Sequence, residues 1–551
     1  MERRQFLGVV GAAMAAPMLV MGQERKRPNV VLIMTDDQGI GDVSCHGNEK
    51  LRTPNIDRLC REGVEFTQFL VCPVCAPTRA CLMTGRYNYR TGVTDTYLGR
   101  AMMHPEEVTI AEMLGKAGYR TGIFGKWHLG DNYPMRPEDQ GFGEVLVHNG
   151  GGIGQPSDPP GSGYFDPVLR HNGVWGKHKG YCTDVFFDAA LKFIEANRER
   201  PFFAYIPTNA PHGPFIVAPE LWKPFKRMGL DDRTAKVYGM VKNIDDNIGR
   251  LLAKLEALDL DENTIVIFLC DNGPNGRRYT MGLRGAKGSV YEGGIRTAFF
   301  ARWPARLKAG RKVDRIAAHI DVAPTLLDAC GVPYPATVPF DGRSLIRLML
   351  GQKTDWPDRT LYIQWHRGDA PVAFRACAAR GQRWKLVNGK ELYDLEKDPG
   401  EKKNVAAEHP DIVRQMRAGY KAWLKDVSAT RGYAAPRIHI GTPHENPTTL
   451  TRQDWRGPRA SWGRDGLGYW EVKVANAGTY EITLRFRKLT MDAPVHVQLG
   501  DVKLSKTVEK GASTCVFDNV ELKAGDGRLE AWVTLKKKPV GVQYVDVKRQ
   551  K

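Results

Sequence analysis

The sequence predicts an α/β protein built on a large, mixed and mostly parallel sheet that is sandwiched by helices. Residues 29–34 and 264–269 are two apolar runs of β-forming residues, of the kind that makes buried parallel strands. Helical and strand patterns alternate between them, as they do in proteins of this class. After residue 434 the pattern changes to short strands of alternating polarity around turns, for example at 469–474 and 479–486. These strands predict an appended β-sandwich.

The size and composition of the chain indicate a globular protein of more than one domain. A chain of 551 residues is too long for one ordinary core, so two or three domains are expected. Its hydrophobic content of 42% and charged content of 26% are typical of a globular protein, and no segment after the N-terminus is long enough to span a membrane. The net charge of +18 fits either a generally solvated basic surface or attraction of a polyanionic substrate. Lys and Arg residues are dispersed and no nucleic-acid-binding module is found, so a nucleic-acid partner is not expected.

Residues 1–22 have the features of an export signal. Arg3 and Arg4 precede an apolar run of small residues at 9–21, which is too short and too rich in Ala and Gly for a convincing membrane anchor. The paired arginines, followed by Phe-Leu, resemble a bacterial twin-arginine signal. The sequence therefore predicts an exported protein, periplasmic or extracellular, in which the ten cysteines could form disulfides.

Polar residues follow both apolar strands. Asp36 and Asp37 come after the first strand, and Asp271 and Asn272 come after the second. The carboxyl ends of parallel strands are where α/β sheets place ligands, and two adjacent carboxylates repel each other unless a cation neutralises them. If the four side chains converge, they make an all-oxygen site that selects a hard cation, calcium or magnesium, over zinc. Taken alone, the Asp pair could also be a helix N-cap with a solvated neighbour.

A cysteine lies beside a predicted anion-binding helix start. Pro77 fixes its own φ and biases the residue before it away from helix, so Cys75 is expected in an extended or turn segment before a helix that begins near Thr78. The unpaired N–H groups of that helix start, with Arg79 one turn away, favour an anion and suggest chemistry on a charged ester such as a sulfate or phosphate. Cys72 and Cys75 also form a C-x-x-C pair, which could be a redox dithiol, half of a zinc site or two packed thiols.

Further elements between the two apolar strands also end in polar side chains. Strands are predicted at 119–124 and 202–206, and helices at 109–117, 183–197 and about 238–258. The first of these strands leads to Lys126 and His128, which point to the same side if the segment stays extended, and the second leads to His212 between two prolines. Each of these residues alone has an ordinary explanation as surface or turn. The Gly- and Pro-rich residues 148–179 predict a long loop, which could shape specificity or be a plain surface excursion.

Several motifs together resemble the type I, formylglycine-dependent sulfatases. In chain order they are Thr-Pro-Asn at 53–55, Cys-Ala-Pro-Thr-Arg at 75–79, Leu-Met-Thr-Gly-Arg at 82–86, Gly-Lys-Trp-His-Leu-Gly at 125–130, Pro-His at 211–212 and Gly-Ala-Lys-Gly at 285–288. The cysteine motif with the Thr-Gly-Arg segment at this offset is the most specific of them. Together with Leu-Tyr-Asp-Leu at 392–395, these motifs extend the resemblance over about three-quarters of the chain.

The resemblance implies an alkaline phosphatase-like fold in two parts. A catalytic domain is expected at residues 28–345 and a smaller C-terminal α+β subdomain at 346–430, which leaves 431–551 as the appended β-sandwich. Similar modules are attached to bacterial carbohydrate-active enzymes. This one could bind glycan through exposed Trp455 or Trp462, or could merely pack on the catalytic domain with both rings buried.

The resemblance also implies roles for individual residues. A maturase would oxidise Cys75 to Cα-formylglycine, whose hydrate attacks the sulfur of a sulfate ester. One calcium ion would be held by Asp36, Asp37, the modified Cys75, Asp271 and Asn272. The remaining site residues are Arg79, Lys126 and Lys287 at the sulfate group, His128 at the formylglycine hydroxyl and His212 at the leaving oxygen.

We therefore predict an exported sulfatase that acts on a sulfated glycan or polysaccharide and depends on a formylglycine-generating enzyme or an anaerobic sulfatase maturase. His366 and Arg367 in the smaller subdomain could line a sugar subsite or form a solvated turn. Cys72 and Cys81 are predicted to be packing residues. Two other functions stay open: a phosphate or phosphonate monoester hydrolase of the same superfamily, and an inactive glycan-binding protein.

Overall fold

A ten-stranded sheet forms the centre of the protein. The computed structural model describes residues 27–335 and 337–550, so the export signal predicted at 1–22 lies outside the described residues. The strands of this sheet, numbered here in chain order, are β1 (Asn29–Thr35), β2 (Val64–Phe66), β3 (Arg120–Lys126), β4 (Glu144–His148), β5 (Val168–His171), β6 (Val174–Lys177), β7 (Phe202–Pro207), β8 (Thr264–Cys270), β9 (Phe299–Arg302) and β10 (Arg311–Val313). Strand β1 is buried along its whole length, as expected for a strand covered on both faces.

The sheet is mixed, with a parallel centre. Its strand order is β10-β2-β9-β8-β1-β7-β3-β4-β5-β6. The five central strands, β8, β1, β7, β3 and β4, are mutually parallel, and the antiparallel pairs involve β9, β5 and β6. The predicted large, mixed and mostly parallel sheet is therefore confirmed. Because parallel strands end at the same edge, the residues that follow β1, β3, β7 and β8 come together there.

Helices cover both faces of this sheet. In chain order the α-helices of the described residues, of which the last packs on the smaller sheets, are α1 (Pro54–Glu62), α2 (Cys75–Thr84), α3 (Asn88–Thr91), α4 (Ile110–Lys116), α5 (Cys182–Ala196), α6 (Pro219–Arg227), α7 (Asp232–Ala257), α8 (Glu292–Ile295), α9 (Val322–Cys330), α10 (Ile346–Met349) and α11 (Pro410–Ala429). Val30 and Leu32 of β1 face a core that includes α2, α4 and α9, whereas Val31 and Ile33 face a second core that includes α1, α5 and α7. Among the described helices, none combines the length and the apolar character needed to cross a membrane.

A smaller antiparallel sheet follows the large one. Its four strands are Leu361–Gln364, Cys377–Arg380, Trp384–Val387 and Glu391–Asp394, and a third sheet joins Phe69–Leu70, Arg296–Thr297 and Ala317–Ala318. Tyr420 and Trp423 of α11 belong to a core shared with both of these sheets. The chain packs on the core of the ten-stranded sheet as far as Trp356, so the boundary placed at residue 345 stays a prediction.

Two mainly antiparallel sheets form the C-terminal part of the chain. One contains Ile438–Ile440, Tyr469–Val474, Ala493–Leu499, Val502–Val508, Gly525–Leu535 and Lys538–Gly541, and the other contains Thr448–Thr451, Gly478–Arg485, Thr514–Leu522 and Tyr544–Arg549. Their shared core holds Trp455 and Trp470, whose rings lie 5.8 Å apart. The glycan contact suggested for Trp455 is wrong, because this large ring is completely buried, as its apolar surface favours. Trp462 packs edge-on against Tyr97 at 5.3 Å.

Candidate active site

Four oxygen-bearing side chains meet at the carboxyl ends of β1 and β8. The last residues of these two parallel strands are paired in register, so the residues that follow them emerge side by side. The Asp37 N–H donates to Asp271 Oδ1 at 3.1 Å, and the Asn272 amide donates to Asp37 Oδ1 at 2.9 Å. Asp36, Asp37 and Asp271 are all completely buried. The structure therefore brings together the four residues that were expected to converge.

Cys75 is the first residue of α2 and lies directly beside these acids. The helix begins at Cys75, not near Thr78 as predicted from the sequence. Pro77 is tolerated inside the first turn because N–H groups in that turn have no partner within the helix. The Cys75 thiol donates to Asp36 Oδ1 at 3.4 Å and accepts from Lys287 Nζ at 3.4 Å.

The surroundings of Cys75 disfavour the ionised form of its thiol. Burial raises the pKa of Cys75 to about 12, and the negative charge of Asp36 adds to this effect, although Lys126 and Lys287 oppose it. The unmodified thiol is therefore protonated at neutral pH. Since the thiolate is the nucleophilic form, an unmodified Cys75 would be a poor nucleophile.

The acids and Cys75 have the arrangement of a metal site. One ligand atom from each of Asp36, Asp37, Cys75 and Asp271 lies within 4.8 Å of all the others. Among the described residues, Asn272 Oδ1 is buried without a hydrogen-bond partner, so a fourth side-chain oxygen is available to a metal ion beside the three carboxylates and the Cys75 sulfur. Carboxylate and amide oxygens are the donors that calcium and magnesium prefer. This donor set therefore fits the predicted calcium ion.

Three cations pair with the three carboxylates. Lys126 Nζ lies 2.5 Å from Asp36, Arg79 Nη2 lies 2.9 Å from Asp271, and Lys287 Nζ lies 2.5 Å from Asp37. Burial alone would raise the pKa of Asp37, but Lys287 and His212 outweigh it and hold this pKa well below its usual range. Burial raises the pKa of Asp271 to about 6, with the charge of Asp36 adding and that of Arg79 opposing. The six groups balance in charge, so a metal ion would make the site attractive to an anion.

The segment that carries Lys126 and His128 turns at the histidine. Strand β3 ends at Lys126, and His128 has a φ of 63°, in the left-handed region. The extended geometry expected for this segment is therefore wrong at His128. Both side chains are nevertheless buried at the same edge of the sheet, where Arg79 Nη1 donates to the Lys126 carbonyl at 2.9 Å.

Two histidines border the acid cluster. His212 Nε2 lies 3.8 Å from the Asp37 carboxylate, and its Nδ1 donates to the Gly213 carbonyl at 2.6 Å. His128 Nε2 donates to the Thr96 carbonyl at 2.7 Å, while its Nδ1 has no hydrogen-bond partner among the described residues. Burial lowers the pKa of His212 to about 4 despite the opposing charge of Asp37, and it lowers the pKa of His128 well below its usual value. Both rings are therefore neutral at pH 7 before an anion binds.

A glycine-rich loop covers the two histidines. A Cβ added at Gly151 would lie 3.0 Å from His128 Nε2, and one added at Gly152 would lie 3.2 Å from His212 Nδ1. The side chain of Gln155 approaches both glycines, with atoms 3.0 Å from each of these positions. A larger residue at either position would force these side chains to shift by a few tenths of an ångström. The long loop predicted at 148–179 is wrong in its second half, which forms strands β5 and β6. The first half is a loop, and it reaches the two histidines that border the acid cluster.

The smaller antiparallel sheet reaches the rim of the site through Arg367. Its guanidinium donates to Asp95 Oδ1 at 2.9 Å and lies 4.4 Å from the centre of the Tyr97 ring. His366 Nε2 instead accepts from the N–H of Val372 at 2.8 Å, so this histidine orders its own loop. The sugar contacts suggested for His366 and Arg367 stay predictions.

Two residues of the site environment were not singled out in the sequence. Asn275 donates to Asp37 Oδ2 at 3.1 Å, and Thr96 supplies the carbonyl that binds His128. Asn275 could have been found, because it lies in the polar Gly- and Pro-containing turn three residues after Asn272. Thr96 acts through its backbone, which no side-chain pattern reveals.

Cys72 and Cys81 form a separate buried group with His319. The Cys72 Sγ lies 3.1 Å from His319 Nε2, and ligand atoms of the three residues lie within 4.8 Å of one another. The two cysteines of the C-x-x-C pair therefore belong to different groups, Cys72 with Cys81 and His319, and Cys75 with the acids. All ten cysteines are in the described part of the chain, and all are free thiols.

The sequence is similar to those of known proteins. Residues 28–332 match the Sulfatase family, and residues 286–426 match the family described as N-sulphoglucosamine sulphohydrolase, C-terminal. The chain is 30% identical over 492 residues to N-acetylgalactosamine-6-O-sulfatase of Bacteroides thetaiotaomicron, which covers 72% of this chain and 93% of that protein. It is 31% identical over 458 residues to human arylsulfatase A, which covers 71% of this chain and 86% of that protein.

A solved structure shows the same architecture. The structure of Ps i-CgsB in complex with k-i-k-neocarrahexaose superposes with a TM-score of 0.68 and 27% sequence identity, covering 74% of this chain and 95% of that chain. The Sulfatase match includes all four oxygen-bearing residues, Cys75, the three cations and both histidines. Because that match also spans more than half of the chain, this protein belongs to the sulfatase family, the enzymes that hydrolyse sulfate esters.

Proposed function

We propose that this sulfatase is exported and removes sulfate from a glycan, using a formylglycine made from Cys75 and a bound calcium ion. The observation that carries the proposal is the position of Cys75, within 3.4 Å of both Asp36 and Lys287 in a cluster that fits a hard cation. The raised pKa of the thiol, about 12, supports modification, because an unmodified thiol would be almost entirely protonated. The hydrate of an aldehyde at this position would supply a hydroxyl as the nucleophile.

The calcium ion would be held by Asp36, Asp37, Asp271, Asn272 and the modified residue 75. It would supply positive charge that lowers the pKa of a hydroxyl bound beside it. Two of these carboxylates are already paired with lysines, at 2.5 Å each. The ion would therefore add net positive charge to the site, which favours an anionic ester.

Arg79, Lys126 and Lys287 are placed to stabilise negative charge on the transferred sulfuryl group. Burial would lower the pKa of Lys287, but the attraction of Asp37 outweighs it and raises this pKa above its usual value. Lys287 is thus a fixed cation over the whole physiological pH range. Fixed charges aimed at the place where negative charge develops lower the barrier without reorganisation.

The two histidines supply separate proton-transfer positions. A sugar hydroxyl is a poor leaving group, so its oxygen needs a proton, and His212 would provide it. Its pKa of about 4 is too low for this role in the protein alone, but the negative charge of a bound sulfate ester would raise it. His128 can accept a proton at Nδ1, because its Nε2 already donates to the Thr96 carbonyl.

A sulfated glycan is the substrate class that the relatives support. Two of them, both from Bacteroides thetaiotaomicron, are N-acetylgalactosamine-6-O-sulfatase and N-acetylglucosamine-6-O-sulfatase. The net charge of +18 agrees with an anionic substrate. The twin-arginine-like residues 1–22 support export, and a maturase acting on the motif at 75–79 would have to modify the chain first.

The function is tested with protein co-expressed with a sulfatase maturase. We expect 4-nitrophenyl sulfate to be hydrolysed faster than 4-nitrophenyl phosphate at equal concentration, because the two esters share a leaving group and differ only in the transferred group. Sulfate release from 4- and 6-sulfated N-acetylgalactosamine and 6-sulfated N-acetylglucosamine, measured by ion chromatography, then identifies the sugar. Preference for the phosphate ester would favour the phosphohydrolase alternative, and no turnover of any ester would favour an inactive binding protein.

Calcium binding predicts a thermal shift that needs Asp271. At a calcium concentration 100 times the Kd, a ligand that binds only the folded state stabilises it by about 2.7 kcal/mol. Chelator-treated protein should therefore show a higher Tm after calcium is added, and Asp271→Asn should lose most of that rise because one carboxylate ligand is neutralised. Asp501→Asn, at an exposed position outside the site, is the control and should keep the rise. An equal calcium effect in both variants, or none in the parent protein, would contradict the proposed site.

A further inference from the structure

A groove runs along the junction between the glycine-rich loop and the C-terminal β-sandwich. Two adjoining cavities, of about 230 and 680 Å³, share residues 158–160 and Tyr544. The smaller cavity is also lined by Gln155, whose side chain lies against Gly151 and Gly152 beside the two site histidines. The groove therefore leads from the border of the active site onto the β-sandwich.

Two arginines in the smaller cavity carry charge that no acid neutralises. Arg452 donates to the backbone carbonyls of Val542, Gly463 and Gly541 and stacks on a buried ring, while Arg487 is exposed. Within residues 27–335 and 337–550, neither guanidinium forms an ion pair with a carboxylate. Both guanidinium groups line the same cavity of about 230 Å³. Burial and the like charge of Arg487 lower the pKa of Arg452 to about 10. An anion between them would relieve this repulsion.

The carboxyl group of Asp158, in the same cavity, does not supply that anion. Asp158 lines the same cavity, but burial raises its pKa to about 8 despite the N–H groups of Gly154 and Asn149 that donate to it. Asp158 is therefore largely protonated at neutral pH. The cavity keeps a net positive charge that is available to a ligand from solution.

Aromatic rings accompany these cations along the groove. Trp462 and Tyr544 line the smaller cavity, and Trp175, with 38% of its surface exposed, lines the larger one. Trp462 packs on Tyr97, and Tyr97 lies under Arg367 at the rim of the active site. Rings that have one apolar face and a polar edge suit the flat faces of sugar rings, while the arginines suit their sulfate groups.

We propose that this groove binds a second sugar residue of the substrate, with its sulfate group held by Arg452 and Arg487, so that the enzyme acts on sulfated oligosaccharide chains in preference to single sulfated sugars. The inference rests on the proposed glycan function and extends it. In this proposal the β-sandwich contacts the substrate through Arg452 and Arg487 and not through Trp455, which is buried in the core.

Binding to full-length Cys75→Ala protein tests the groove without turnover. Isothermal titration calorimetry would compare a chondroitin 6-sulfate hexasaccharide and a carrageenan hexasaccharide with N-acetylgalactosamine 6-sulfate and galactose 4-sulfate. At least one hexasaccharide should bind about tenfold or more tightly than its monosaccharide, since a charge-assisted contact contributes on that order. Adding Arg487→Glu should remove most of this advantage and leave monosaccharide affinity unchanged. Lys503→Glu, an equal charge reversal at an exposed strand position of the same β-sandwich, should change neither.

Either of two results would overturn the proposal. The first is that both hexasaccharides bind no more tightly than their monosaccharides, and the second is that Arg487→Glu and Lys503→Glu have equal effects. Turnover of 4-nitrophenyl sulfate by the matured Arg487→Glu protein should equal that of the parent, because Arg487 lies outside the acid cluster. Absence of that turnover in the parent would count against the sulfatase function itself, which separates the two failures.

Discussion

Replacing Cys75 with alanine should reduce sulfate ester hydrolysis by about 10⁴-fold or more, to the background rate. Cys75 is the only described cysteine that lies within the cluster of Asp36, Asp37 and Asp271, and its Sγ contacts Lys287 Nζ at 3.4 Å. Among the described residues, no second thiol in this cluster could replace the proposed nucleophile when the side chain is shortened to a methyl group. Initial rates with 4-nitrophenyl sulfate, using protein co-expressed with a maturase, measure the loss.

A second buried cysteine provides the control for this substitution. Cys182 is completely buried on the opposite side of the sheet, so Cys182→Ala removes a thiol of equal burial and should keep activity within a few fold. Mass spectrometry of the peptide that contains residue 75 should show the aldehyde in the parent protein. An active parent whose residue 75 is entirely unmodified cysteine, or an active Cys75→Ala variant, would disprove the assignment of the nucleophile.

The sheet and its acid-tipped edge could be predicted because they depend on local patterns. Strand β1 is buried on both faces, and such strands read as continuous apolar runs in sequence. Once two such strands are taken as parallel neighbours, the residues after them must emerge at the same edge. Asp36, Asp37, Asp271 and Asn272 converge for that reason. The cations and histidines could be named only from the motifs that resemble the sulfatases, since each has an ordinary explanation alone.

The features that were missed depend on contacts between distant parts of the chain. Helix α2 starts at Cys75 although Pro77 argued for a later start, because a proline is harmless inside a first turn. Gln453 of the C-terminal region donates at 3.1 Å to the Thr96 carbonyl, the same oxygen that binds His128. No local pattern connects residues 357 positions apart. The junction between the β-sandwich and the active site was therefore out of reach of the sequence.

The sequence left the burial of Trp455 open as one of two alternatives, for a related reason. This residue lies between the strands Thr448–Thr451 and Tyr469–Val474, in a segment without strand periodicity. Alternating polarity predicts which face of a strand is buried, but it does not predict whether a ring in an irregular segment is buried. The ring is covered because both sheets close over it, which only the tertiary structure shows.

Replacing Lys287 with methionine should lower kcat/KM for sulfate esters by about 10²- to 10³-fold, the usual cost of one electrostatic stabiliser. Lys287 Nζ lies 2.5 Å from Asp37 and 3.4 Å from the Cys75 sulfur, so its loss removes positive charge from beside both the acid cluster and the proposed nucleophile. Methionine keeps the length and apolar stem of the side chain, and a fifth of the lysine side chain is exposed, so folding should survive. Steady-state rates and the Tm measure the two effects separately.

Arg277→Met is the matched control, because this exposed arginine lies in the same region of chain but outside the acid cluster. It should retain activity within a few fold, as surface substitutions usually do.

The pH dependence of the rate distinguishes a fixed cation from a proton donor at Lys287. Asp37 raises the pKa of Lys287 against the effect of burial, so the lysine stays charged, and Lys287→Met should lower the rate by a similar factor from pH 6 to 9. A loss confined to one side of this range would instead assign proton transfer to Lys287, and activity within threefold of the parent would remove it from the site.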